Sequence, residues 1–148
     1  MITRFLVVVV LAGSVGGCSP PALARAGDLV VADGYAYQSM GDGASAFLVI
    51  RNEGTSDDTL TAAESPAAGL VMPHGTEVAG GAGRMVHLDA IPIPAGGTVA
   101  MGSGGLHLML RELRRPLAVG DSCELRIRFA RAGTLRVTVP VVGFSDRP

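Results

Sequence analysis

Along most of the chain apolar and polar side chains alternate at a period of two, in short runs cut off by Gly, Pro, Asp and Asn. Cys123, Leu125, Ile127 and Phe129 alternate with Glu124, Arg126 and Arg128. Leu135, Val137, Val139 and Val141 alternate with Arg136, Thr138 and Pro140. Successive side chains of a strand point to opposite faces, so each run predicts a strand with one buried and one wet face. The Ala132-Gly133 connection predicts that the two form a hairpin. Further strands are expected at 28–33, 46–52, 58–63, 69–74, 84–89, 97–102 and 106–111, with one short turn of helix within 61–69. No stretch sustains a 3.6-residue apolar period of useful length. The expected class is therefore all-β, a sandwich or barrel in a single domain.

The composition agrees with that class. Of the 148 residues 48% are hydrophobic, enough for a core, and 21 are Gly, which suits many turns. The net charge is -1, without a basic block. Nucleic acid and anionic lipid surfaces are not expected as main partners, because both need clustered Lys or Arg.

The N-terminus reads as an export signal. Arg4 precedes the short apolar run FLVVVVLAG and then small residues, too short a run for a comfortable membrane span. Residues 1–17 are expected to be a signal peptide. Val15-Gly16-Gly17-Cys18 resembles a lipobox, which would lipidate Cys18 and make it the new N-terminus. Ala22-Leu23-Ala24 and Ala24-Arg25-Ala26 fit ordinary cleavage. The lipobox is preferred. Residues 18–27 then form a lipidated or cleaved tether and 28–145 the folded domain, working in the periplasm or cell envelope. Only Cys123 remains in that domain, so no intrachain disulfide is expected. Cys123 reads as a small buried hydrophobe.

The same parity test isolates a chemical face. In LHLMLR, Leu106, Leu108 and Leu110 take the core side, and His107 and Met109 the other. In RMVHLD, Val86 and Leu88 take the core side, and Met85 and His87 the other. A Met on polar parity is odd, since a thioether gains little from water. Upstream, Met72-Pro73-His74 is expected to end a strand, and the loop GTEVAGGAG to bring His74 back toward Met85. Gly104-Gly105 leaves room for close approach at His107. Residues i and i+2 on one face are about 7 Å apart, so both reach one ion only if a strand end curls, and a partner from a neighbouring strand completes a ligand set more easily. Two thioethers with two imidazoles make a soft, uncharged set suited to copper(I). Calcium and magnesium want oxygens, and zinc prefers thiolate, imidazole or carboxylate. A blue-copper site needs a Cys thiolate beside its His ligands, and Cys123 has the wrong parity. The expected ligands are His74, Met85, His107 and Met109, with His87 and Met72 as weaker candidates and Met101 weaker still.

The spacing H-x10-M-x21-H-x-M of those four residues resembles the motif of the periplasmic copper chaperones called PCu(A)C. The blocks SPAAGLVMPH, IPIPAGGTVAMGSGGLHLML, RPLAVGDSCELRIRF and VTVPV are similar to that family's, in order, over roughly 29–142. The resemblance implies a cupredoxin-like or immunoglobulin-like Greek-key β-sandwich. It implies copper(I) carriage in the periplasm and delivery toward the copper centres of cytochrome oxidase, often beside a Sco-type protein. It also assigns the ligand role to His74, Met85, His107 and Met109. Two features depart from it. Gly75 stands where many members have Met, and the ending GFSDRP lacks the His/Met-rich tail that binds copper(II) in some members, so a second site of that kind is not expected.

An enzyme is not expected. Hydrolases set a nucleophile beside an oriented base, and neither G-x-S-x-G nor H-E-x-x-H occurs. The alternative to a copper chaperone is a metal-free β-sandwich interaction module of the cell envelope. Metal would leave its thermal stability unchanged, whereas a ligand bound only to the native state raises it.

Overall fold

The computed structural model of the protein describes residues 22–79 and 82–146. Residues 1–17, expected to be a signal peptide, and Cys18 lie outside the residues described. These fold into eleven strands: β1 (Ala24–Ala26), β2 (Leu29–Tyr37), β3 (Ala44–Asn52), β4 (Asp58–Glu64), β5 (Ala68–Ala79), β6 (Ala82–His87), β7 (Ile91–Ile93), β8 (Thr98–Ala100), β9 (His107–Leu113), β10 (Ser122–Phe129) and β11 (Gly133–Val142). The hydrogen-bonded path runs β6-β5-β9-β3-β2-β11-β10-β4-β7, with β1 beside β2 and β8 beside β3. The all-β expectation holds.

β11 joins the two halves of this path. Its residues Gly133 to Pro140 pair antiparallel with the whole of β10, and it meets β2 in parallel at Val141↔Ala36 and Val142↔Tyr37. The path curls around one core built from the predicted parities. Leu125, Ile127, Val137 and Val139 bury on one side, and Leu48, Ile50, Leu108 and Leu110 on the other. At Gly34 an added Cβ would lie 2.7 Å from Leu48 Cδ2 and 2.9 Å from Val139 Cγ1. The chain needs Gly there for close approach.

Where the strands depart from expectation, pairing explains it. The segment 61–69 contains no helical turn: Ala62 and Ala63 pair with Arg128 and Ile127, so cross-strand burial overrides the helix propensity of an Ala-rich stretch. The chain then turns at Ser65, whose hydroxyl donates to Glu124 O at 2.7 Å and accepts from Ala67 N at 3.2 Å. β7 was not anticipated because its Pro92 argues against a strand. It lies at the end of the path, where a missing N–H is tolerated. β1 falls inside the segment expected to be a tether. It pairs with β2 through Ala24↔Val31, Arg25↔Val30 and Ala26↔Leu29, and Arg25 reaches Glu53 at 2.7 Å.

Asp58 fastens the β10–β11 hairpin. Its buried carboxylate accepts N–H bonds from Thr59 (2.7 Å), Arg131 (3.0 Å) and Ala132 (2.9 Å), the last two in the hairpin turn. Gly133, at φ 83°, begins β11 in a backbone region that favours glycine.

Candidate metal centre

Three strands of one sheet build the site: β9, β5 and β6. β5 pairs with β9 through His74↔His107 and Met72↔Met109, and with β6 through His74↔His87 and Thr76↔Met85. Directly paired residues share a face. His74, Met85, His107 and Met109 therefore all lie on one face, together with His87 and Met72. It is the face opposite Leu108, Leu110 and Val71, as parity predicted.

The expected loop after His74 is not a loop. β5 continues to Ala79, and Gly75–Ala79 pairs with Ala82–Val86 as a two-stranded extension beyond the edge of β9. The sequence GTEVAGGAG reads as flexible, yet Thr76, Val78 and Arg84 suit a ladder, and Glu77 and Arg84 face each other at 3.8 Å. His74 is consequently placed by register and not by loop closure.

Across these strands the imidazoles form a row. The His74 ring centroid lies 5.5 Å from that of His107 and 6.0 Å from that of His87, both edge to face. The row continues on the other side of His107 through Phe47 at 6.2 Å, which stacks on Tyr35 at 4.8 Å. These aromatics were missed as part of the site. The signal was available: Tyr35, Tyr37 and Phe47 occupy the same outward parity as His107. They make the outer face of this sheet partly apolar, and His107 is only 6% exposed.

The hydrogen bonds fix the nitrogens. His107 Nδ1 lies 3.0 Å from Gly105 O. A carbonyl only accepts, so Nδ1 carries a proton, and in the neutral ring this leaves the lone pair on Nε2, the tautomer a metal ligand needs. The tight turn at Gly102–Gly105, with Gly104 at φ 77°, delivers that carbonyl. His74 Nδ1 is buried without a hydrogen-bond partner. Such orphans are rare in folded chains, and an ion-binding role is one explanation. Burial, and then the neighbouring His107 and His87 imidazoles, hold His74 below the ordinary histidine pKa, which favours the neutral ring that binds metal.

The thioethers flank the row from opposite sides along the strands. Met109, half-buried, sits one step toward Met72; Met85, 59% exposed, sits one step out on the β5–β6 extension. Each is diagonal to His74, roughly 7–8 Å between backbones, a span that a Met with three rotatable bonds covers by leaning inward. Met72, directly opposite Met109, is equally placed to lean in. Met101 is buried in the core and is not brought to the row. Among the described residues no three His, Cys, Asp or Glu side chains converge closely enough to hold a metal by themselves. As the side chains stand, the donors nearest the His74–His107 pair include the thioethers, and that set fits a soft ion. Beside Met109 a cleft of about 200 Å³ opens between Tyr37, Met40, Ser45, Arg111 and Phe144. Cys123 is remote in function. It is fully buried in the core, and burial pushes its thiol above the ordinary value.

Residues 29–141 match the family described as "Putative lipoprotein LpqE-like". The chain is 35% identical over 102 residues to "Putative lipoprotein Lxx21020" of Leifsonia xyli subsp. xyli, covering 68% of this chain and 61% of that one. The chain thus spans somewhat less than two thirds of that relative's length. Among solved structures, the copper-bound PCuAC domain from PmoF2 superposes with a TM-score of 0.69 at 21% identity, over 80% of this chain and 96% of that domain. The solution structure of CuI-DR1885 from Deinococcus radiodurans gives a TM-score of 0.60 at 27% identity, over 75% of this chain and 77% of that one. The fold is therefore that of the cupredoxin-like PCuAC domains.

Proposed function

The chain belongs to the LpqE-like family, and from that premise we propose that it is a non-enzymatic copper(I) carrier of the bacterial envelope. His74, His107, Met85 and Met109 hold the ion. The observation that carries this reading is the His74–His107 pair, ring centroids 5.5 Å apart, flanked by thioethers on one sheet face. The set is neutral and soft, so it favours the cuprous ion over harder divalent ions. His107, its Nδ1 committed to Gly105 O, is oriented before the metal arrives. Met85 on the exposed extension is the ligand most open to an acceptor, which suits a carrier that must also release its cargo. The PmoF2 domain is copper-bound and the DR1885 protein carries CuI, and this supports the reading for a chain of the same fold.

Delivery runs toward the copper centres of cytochrome oxidase, directly or beside a Sco-type protein. Anchoring is through Cys18. The names of the family and of the Leifsonia relative support a lipoprotein. So does β1, because cleavage after Ala24 or Ala26 would cut into or remove a strand paired with β2. Processing at Cys18 leaves that strand whole.

The test is competition with a copper(I)-specific chelator. Wild type binds one copper(I) per chain, and Met85→Leu and Met109→Leu each weaken it at least tenfold. Superimposable curves for all three proteins would reject the assignment. Unchanged thermal stability on adding copper(I) would favour a metal-free interaction module instead.

A further inference from the structure

The imidazole row extends past the proposed ligands. His87, on β6, stands directly opposite His74 on the side away from His107. Directly opposite side chains in a sheet are closer, about 5 Å between Cβ atoms, than diagonal ones at about 7–8 Å. By register His87 is thus a nearer neighbour of His74 than Met85 is. Exposure rises along the row: His107 is buried, His74 half-buried, and the His87 side chain 51% exposed. Asp89 Oδ1 lies 3.5 Å from His87 Nε2 and is fully exposed. Among the described residues β6 is the last strand of the path, and no further strand pairs beyond His87.

His74 therefore stands between two overlapping donor sets. One adds the thioethers of Met85 and Met109 to His74 and His107. The other adds a third imidazole, with a carboxylate at its outer rim. Nitrogen and anionic oxygen suit a harder, divalent ion, and among first-row divalent ions copper(II) binds such donors most tightly. We propose that this face also binds copper(II), through His87, His74 and His107, with His87 taking the place of a thioether. The three rings stand in a row and do not converge as they are. His87, exposed on the edge strand, is the one free to turn inward about its side-chain torsions. No electron moves in this step: the two sets differ in which ion, supplied as such, they hold. The inference rests on His74 and His107 being ligands of the proposed copper(I) site.

Electron paramagnetic resonance of the full chain with one equivalent of cupric ion tests it. Wild type shows coupling to three nitrogens, and His87→Ala shows two. The same substitution weakens copper(II) at least tenfold in competition with nitrilotriacetate and changes copper(I) affinity less than threefold. An unchanged nitrogen count and copper(II) affinity in His87→Ala, or a wild type that takes up copper(I) but not copper(II), overturns the proposal alone. A wild type that fails to bind copper(I) removes the parent reading with it.

Discussion

Asp58 offers the sharpest test of how the sandwich is held together. Burial alone would raise its carboxyl pKa. The N–H groups of Thr59, Arg131 and Ala132, with the Arg131 charge, outweigh that and leave it below the usual carboxylate value. Asp58→Asn keeps the shape and removes the charge. One amide oxygen can still accept at the Thr59 and Arg131 side, but the new NH2 group then faces the Ala132 N–H, donor against donor. Leaving one buried N–H unsatisfied costs about 1–3 kcal/mol. Two charge-assisted bonds that become neutral lose about half their strength, together about 1 kcal/mol. The expected loss at pH 7 is about 2–4 kcal/mol, read as a lower urea midpoint with an unchanged slope. The sign with pH follows from the depressed pKa. The stabilisation is fully present above the unfolded-state value near 4 and disappears as pH falls through the lower folded-state value. The gap between wild type and variant must therefore close in acid. A variant within about 0.5 kcal/mol of wild type at pH 7, or a gap that does not narrow as pH falls below about 4, would refute the reasoning.

Other outcomes follow from packing. Gly34→Ala places a methyl group against Leu48, Val139 and the Phe47 carbonyl, and overpacking of this kind costs about 1–3 kcal/mol in urea unfolding; a neutral result would mean that the strands are not in close contact there. Cys123, buried and with its thiol pKa raised, should resist a thiol reagent for hours in the native protein and react within minutes in guanidinium. Rapid native labelling would contradict the core placement. Asn52 is buried, with its amide donating to Ser56 O at 2.9 Å and Ile93 O at 3.1 Å. Asn52→Ala should cost about 1–3 kcal/mol by stranding those acceptors, and a variant as stable as wild type in urea would dispense with the clamp.

Parity made the chemical face legible. His107 and Met109 could be separated from Leu108 and Leu110, and Met85 and His87 from Val86 and Leu88, because side-chain direction on a strand is a local property. What lies across from a residue is not local. That His74 meets His107 on one side and His87 on the other depends on the register of β5 between two strands, which no short-range pattern encodes. The same limit hid the continuation of β5, since a Gly-rich segment becomes a strand only when a partner completes its ladder. It also hid the burial of His107. Alternation tells which face a side chain takes, and here the outward face is itself covered by Phe47 and the turn at 102–105. β1 and β7 are three residues each, too short to carry a period of their own.

The central claim is that two thioethers close over two neighbouring imidazoles. X-ray absorption at the copper edge of the copper(I)-loaded protein reads this directly. The account predicts two sulfur and two nitrogen neighbours, with one sulfur lost in Met85→Leu and one in Met109→Leu. A shell of nitrogen and oxygen alone, unchanged by either substitution, would contradict it.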